Sequence, residues 1–255
     1  MAVRFKDRRE AGQALARRLQ RYLENRDLEC PPIVLGLPRG GIILGYEIAM
    51  ALQAPLDVCL VRKLGLPRQP ELAMGAIAAH GYEWLDDRMI KAQRVSTAQI
   101  HDVIQHELAL LQNRAKRYAP YRPVLSLQNR TVIVTDDGVA TGATLMAALE
   151  DVRSQQPREI IIAMPVMAAS IRLRPPADTY PQIVLHQPTQ LLAIGYAYED
   201  FTQVSDLEVC QALQQANAFR QSAAAPLAEA DACDETAASS KVLANHRLKP
   251  PAAPH

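Results

Sequence analysis

A chain of 255 residues with 49% apolar residues can fill the core of one large α/β domain, or of one domain with a small appendage, without metals or staples. Its 28 Lys+Arg and 27 Asp+Glu nearly cancel, which argues against nucleic acid as the main partner. Cys30, Cys59, Cys210 and Cys233 are scattered, with no C-x-x-C pair and no histidine cluster beside them. A zinc site or a disulfide framework is therefore not expected, and the cytoplasm is the natural compartment. The charged N-terminus has no apolar h-region, and no apolar run approaches the roughly 20 residues of a membrane span.

"DRREAGQALARRLQRYLENRD" predicts an amphipathic helix over about 6–27, with Ala11, Leu15, Leu19, Tyr22 and Leu23 on one face. Arg4, Lys6, Arg8, Arg9, Arg17, Arg18, Arg21 and Arg26 make this segment locally basic. "IVLGLPRGG" gives a buried strand ending in a turn, "GIILGYEIAMALQ" a helix, and "PLDVCLVRK" the next strand. "LGLPRQPEL" reads as a loop and "MGAIAAHG" as a short strand. A long helical region follows an Asp cap, with Met89, Val95, Ile100, Ile104, Leu108 and Leu111 facing inward. "TVIVT" and "EIIIAMPV" are strands separated by the helix "GATLMAALEDVRSQ", and a short helix is expected near Ala168 to Arg174. Apolar strands alternating with helices predict a parallel sheet covered on both faces. From Pro175 the pattern shifts to short strands and a compact cap, then a last helix in "DLEVCQALQQANAF". Beyond Arg220 the chain becomes Ala/Ser/Pro-rich and acidic without periodicity, the signature of a disordered tail over 221–255.

The most informative stretch is "VIVTDDGVATGAT", Val132 to Thr144. It sets two adjacent carboxylates, Asp136 and Asp137, at the end of an apolar strand and begins a helix just beyond. Ligands of parallel sheets gather at the carboxyl ends of the strands. The first amides of a helix are unsatisfied donors that suit a phosphate. Gly138, Ala140, Gly142 and Ala143 allow close approach, and Thr141 and Thr144 add hydroxyls. Carboxylates would repel the phosphate itself, so the pair calls for hydroxyls or a metal a few ångströms away. A sugar phosphate satisfies both halves. The same string would also serve as a plain helix-capping turn.

This block resembles the signature of type I phosphoribosyltransferases, with Gly138 standing where an apolar residue is usual. The resemblance implies a ligand, 5-phosphoribosyl-1-pyrophosphate (PRPP). Asp136 and Asp137 would bind the ribose 2′- and 3′-hydroxyls, and residues 138–144 would hold the 5′-phosphate. It also implies Mg²⁺ and a reaction that joins a nitrogen nucleophile to C1 with release of pyrophosphate. "LPRGG" is similar to the family's pyrophosphate loop, with Arg39, Gly40 and Gly41 as candidates. "VRKLGLPRQPELAMG" falls where the family has a mobile catalytic loop. Lys63 or Arg62 would neutralise the leaving group, and Glu71 is the carboxylate inside the loop. "QPTQLLAIGYAYEDF" is similar to the base-recognition segment of hypoxanthine-guanine enzymes. On that register Leu192 and Tyr196 face the acceptor and Glu199 the metal.

Two departures narrow the substrate. The acid that hypoxanthine-guanine enzymes carry four residues after the first of the pair is Ala140 here, and "AMPVMAAS" lacks their lysine, so a 6-oxopurine acceptor is not supported. Adenine-type enzymes also have Ala at the first position and use a loop carboxylate instead. With "RKLG-x-P", "PELA-x-GA" and "YEDF-x-Q", the chain looks closest to stand-alone bacterial phosphoribosyltransferases over about residues 1–215. The expected fold is a parallel five-stranded sheet flanked by helices, with a core over about 30–175 and a small C-terminal hood over about 176–205. The phosphoribosyltransferase domain would span 1–220. The expected partners are PRPP and a small nitrogenous acceptor, with a homo-oligomer as a further expectation. A non-catalytic PRPP or nucleotide sensor acting through the basic first helix is the alternative. An NTPase reading fails because G-x-x-x-x-G-K-[ST] is absent.

Overall fold

A computed structural model of the chain describes residues 4–224, with side chains up to Phe219. Helix α1 (Arg8–Leu23) starts at Asp7, whose carboxylate accepts from the Glu10 amide at 2.9 Å. Strand β1 (Ile33–Gly36) leads into α2 (Gly40–Leu52), an apolar helix buried along most of its length. Next come β2 (Leu56–Val58), β3 (Val61–Leu66), β4 (Gln69–Ala78) and β5 (Glu83–Leu85). Helices α3 (Asp87–Ala92) and α4 (Thr97–Tyr118) start at Asp86 and at a Ser96/Gln99 capping box. Then β6 (Thr131–Thr135), α5 (Ala143–Ser154), β7 (Glu159–Val166), β8 (Gln182–His186) and α6 (Asp206–Ala224) complete the chain.

Five strands form a sheet in the order β2-β1-β6-β7-β8, every neighbouring pair parallel. Alternate residues of each strand point to opposite faces, and both faces are buried. Val34, Ile133 and Ile161 pack with α1, α2 and α6, while Val132, Val134, Ile160 and Ile162 pack with α5. A smaller antiparallel sheet, β3-β4-β5, lies against α5 and α4, with Leu64, Met74, Ile77 and Ile104 as its own core.

Three expectations change here. The predicted strand 55–63 is two strands in two sheets. The Cys59 amide still donates to Gly36, whereas the Leu60 carbonyl already accepts from Ala79. The predicted mobile loop over 62–75 is the β3–β4 hairpin, with a two-residue turn at Pro67–Arg68 and a bulge at Gly65, where a Cβ would strike the Pro70 carbonyl. No helix forms near Ala168–Arg174. Instead Met167 bridges Val139, and turns follow.

Strand β8, expected in the cap, is an edge strand of the main sheet, so the hood reduces to the segment after His186. Its 3₁₀ turn, Ile194–Ala197, is tied to the N-terminus: the Phe5 amide donates to Ala197, and the Glu199 and Asp200 amides donate to Phe5 and Lys6. Of the expected tail, residues 221–224 continue α6, and 225–255 lie outside the described residues, as does Cys233. Cys30, Cys59 and Cys210 are free thiols. No described helix is long and apolar enough to cross a membrane.

Candidate active site

The carboxyl ends of β1 and β6 lie side by side, Gly36 opposite Thr135, so the loops that follow them are neighbours. The Leu37 amide donates to the Thr135 carbonyl at 2.9 Å, drawing the "LPRGG" turn against the acid pair. The contact is close enough to exclude side chains. A Cβ on Gly40 would collide with Asp137 Oδ2, and one on Gly41 would lie 2.6 Å from the Thr135 carbonyl oxygen. The two glycines are therefore required by the acid pair itself. The Arg39 and Gly40 amides meet no protein acceptor among the described residues and remain available to an anion. The Arg39 side chain is half-buried and makes no ion pair among the described residues.

Beyond the acids, Val139 is fixed to β7 and its flank: its amide donates to Val166 and its carbonyl accepts from Ala168. Gly138 is a glycine because the space beside it is filled. A Cβ would come within 2.7 Å of both Val166 and Ile194. Ile194 thus occupies the volume that an apolar residue at 138 would take. From Ala140 to Leu145 no amide donates to a protein oxygen among the described residues. Gly142 precedes α5 with φ +84°, a left-handed conformation natural to glycine. Ala140 and Thr141 are exposed and Thr144 half-buried, while Ala143 lies buried at the helix start. The result is a run of free amides at a helix N-terminus, an arrangement that suits an anion.

The acid pair is electrostatically costly. Burial raises the Asp136 carboxyl well above its ordinary range, and the neighbouring Asp137 charge raises it further. Backbone amides, including that of Asp137 at 2.8 Å from Oδ1, offset part of this. Burial also raises Asp137, and Arg8 counteracts it. Arg8 reaches Asp137 Oδ2 with Nε and Nη2, each at 3.0 Å, although 129 residues separate the two in sequence. Its Nη1 donates to the Thr202 carbonyl at 2.8 Å, and its Cζ lies over the Phe201 ring, 3.9 Å from the centroid. The Tyr198 hydroxyl donates to the Asp137 carbonyl at 2.6 Å. Sequence reasoning missed these partners. Arg8 reads as one of several basic residues on the first helix, and no local pattern links it to Asp137.

The remaining predicted residues are less concentrated. Lys63 and Glu71 face one another on the hairpin at 3.8 Å, with the Lys63 ammonium also donating to the Glu71 carbonyl; neither bonds to the acid pair. Arg62 pairs with Glu107 on α4. Leu192 and Tyr196 are 86% and 65% exposed, so the expected acceptor face is open. Glu199 is exposed, its amide bound to Phe5. Among the described residues no three His, Cys, Asp or Glu side chains gather as a metal cage, so Glu199 does not join the acid pair in one.

An acid pair lies between two turns with free amides, on a five-stranded parallel sheet of the phosphoribosyltransferase class of fold. The chain belongs to the phosphoribosyl transferase domain family, whose model matches residues 4–198. It is 39% identical over 213 residues to proteins of two Mycobacterium tuberculosis strains that are named as phosphoribosyl transferases. The match covers 84% of this chain and 47% of theirs, so the chain spans about half the length of these relatives. The crystal structure of TT1426 from Thermus thermophilus is 35% identical, covers 84% of this chain and 99% of its own, and superposes with a TM-score of 0.65.

Proposed function

We propose that this domain is a Mg²⁺-dependent phosphoribosyltransferase that moves the 5-phosphoribosyl group of PRPP to a nitrogen of a nucleobase-like acceptor. The observation that carries the reading is the acid pair wedged between two turns with free amides. The amides of residues 140–145 would take the 5′-phosphate, Asp136 and Asp137 the ribose diol, and the Arg39–Gly40 amides with the Arg39 guanidinium the pyrophosphate. The C1–oxygen bond breaks as pyrophosphate leaves with its electron pair, and the acceptor nitrogen closes the new bond to C1. Glu71, or water, takes the proton that this nitrogen loses. Donors fixed before reaction stabilise the departing charge without reorganising. Movement of the β3–β4 hairpin as a whole would bring Lys63 nearer the leaving group and exclude water.

The donor set suits Mg²⁺ carried on substrate. Glu199 offers one exposed carboxylate without an ion pair among the described residues, and Mg²⁺ takes one or two carboxylates, keeps water and uses substrate phosphate oxygens. When bound, the ion would supply positive charge against the diphosphate. In the basic segment Arg4, Arg8, Arg9 and Arg26 are engaged by Tyr198, Asp137, Glu47 and Glu159, while Arg17, Arg18 and Arg21 are exposed without an ion pair among the described residues, so the sensor alternative is decided by the test below.

The test is pyrophosphate release from PRPP and Mg²⁺ across a panel of purines, pyrimidines and small amines. Acceptor-dependent release is expected. Tight PRPP binding without release for any acceptor would point to the sensor, and no PRPP binding at all would end the reading.

A further inference from the structure

We propose that Arg8 is a positioning residue for the ribose diol: it turns the Asp137 carboxylate so that one oxygen faces the sugar, and it ties that carboxylate to the hood. The inference rests on the function proposed above, since it assigns a role within the PRPP site.

Arg8 is the first residue of α1. A cation at a helix N-terminus opposes the helix dipole, so local structure gives no reason for it there. It is also 9% exposed, and buried guanidinium groups are retained where every donor is matched. Here each of the three guanidinium nitrogens has an acceptor. Nε and Nη2 both reach a single oxygen, Asp137 Oδ2, and Nη1 reaches the Thr202 carbonyl. Phe201 lies beneath the plane. A bidentate lock would engage both carboxylate oxygens. Because both bonds converge on Oδ2, Oδ1 is left to accept from a ligand hydroxyl.

The same oxygen is where the pyrophosphate turn closes. The position of a Gly40 Cβ falls against Oδ2 and lies 2.9 Å from Arg8 Nε. Tyr198 and Thr202, which hold the Asp137 carbonyl and the Arg8 guanidinium, belong to the segment that carries Leu192 and Tyr196. One guanidinium therefore joins the pyrophosphate turn, the diol acid and the acceptor-side hood. A lysine carries its three N–H donors on one nitrogen and has no planar face, so it could not span Asp137 and Thr202 and stack on Phe201 at once.

The experiment is calorimetry on the full chain with Mg²⁺ and three probes: PRPP, ribose 5-phosphate and pyrophosphate. Pyrophosphate lacks the diol and reports the anion turns alone. Arg8→Gln should weaken PRPP and ribose 5-phosphate about tenfold to a hundredfold, the range of a charge-assisted contact, and leave pyrophosphate within about twofold. Arg8→Lys should restore part of the loss, and it carries the test if Arg8→Gln does not fold, with a selective loss of ribose 5-phosphate again expected. Unchanged or tighter ribose 5-phosphate binding would overturn the inference. So would equal weakening of all three probes, because that is the mark of a purely structural residue. A wild-type chain that binds pyrophosphate but neither sugar phosphate would instead bring down the functional reading.

Discussion

Asp136 and Asp137 are adjacent and chemically identical, yet the fold treats them differently. Asp136 is held mainly by backbone amides, and burial with the neighbouring Asp137 charge raises its carboxyl; Asp137 has Arg8 as a direct counter-ion. A carboxyl raised in the folded state binds its proton more tightly there than in the unfolded chain. The stability it contributes is present at low pH and is lost as pH climbs from the ordinary value of 3.8 through the raised one. Asp136→Asn removes that penalty and keeps the oxygen that accepts the Asp137 amide. Its melting temperature at pH 7 should therefore exceed that of the wild type, and the loss of stability as pH rises above the ordinary carboxyl value of 3.8 should flatten. Asp137→Asn strands the Arg8 charge and should melt lower. Both should lose PRPP binding, at roughly 1.5–3 kcal/mol for each charge-assisted bond removed. Thermal unfolding across pH with calorimetry checks both halves, and equal melting shifts in the two variants would contradict this division of roles.

In the proposed function, PRPP binding rests first on the turn from β6 into α5. Its amides from Ala140 onward are spare because the helix begins only at Ala143 and the floor of the loop is already bonded to the β7 edge through Val139. Thr141→Pro deletes one of these donors and fixes φ near about −65°. Thr141→Ser keeps the backbone and a hydroxyl. The proline variant should raise the KM for PRPP at least tenfold, and the serine variant by no more than a few-fold. Equal values in the two would place the 5′-phosphate elsewhere. The β3–β4 hairpin shows the opposite relation of element to site. Its pairing with β5 and its packing on α4 keep Lys63 and Glu71 on an ordered strand pair. Any approach to the acid pair must therefore be a movement of the hairpin as an element.

Across the molecule, polar side-chain contacts join layers that share little sequence. Arg122, just past α4, grips Asp57 of the edge strand β2 through two bonds of 2.6 and 2.9 Å, and His80 meets the buried Asp151 of α5 at 2.9 Å. Arg122 is a third exposed and Asp57 is 6% exposed, so removing the arginine leaves a nearly buried carboxylate without its partner. Arg122→Met should cost about 2 kcal/mol, a few degrees in melting temperature. An unchanged melting curve would mean that water replaces the guanidinium in full.

The parallel core and the acid-pair turn that opens α5 are legible in the chain alone, because both are written in contiguous residues. Strands such as Thr131–Thr135 are apolar on both faces, and "DDGVATGAT" sets acids, glycines and hydroxyls at fixed offsets along one turn. Features that depend on partners far along the chain are not legible there. Arg8 reaches Asp137 only because α1 packs on α2 and the N-terminal segment pairs with the hood. The glycine at 138 is explained by Ile194, far beyond it in the chain, and the glycine at 40 by a carboxylate that follows a different strand. The hairpin reads as a loop because its prolines and glycine resemble turn signals, and a bulged antiparallel pair accommodates them only once β5 and α4 are in place. Side-chain contacts between distant segments are fixed by packing, and packing is decided by the whole fold rather than by any window of the sequence.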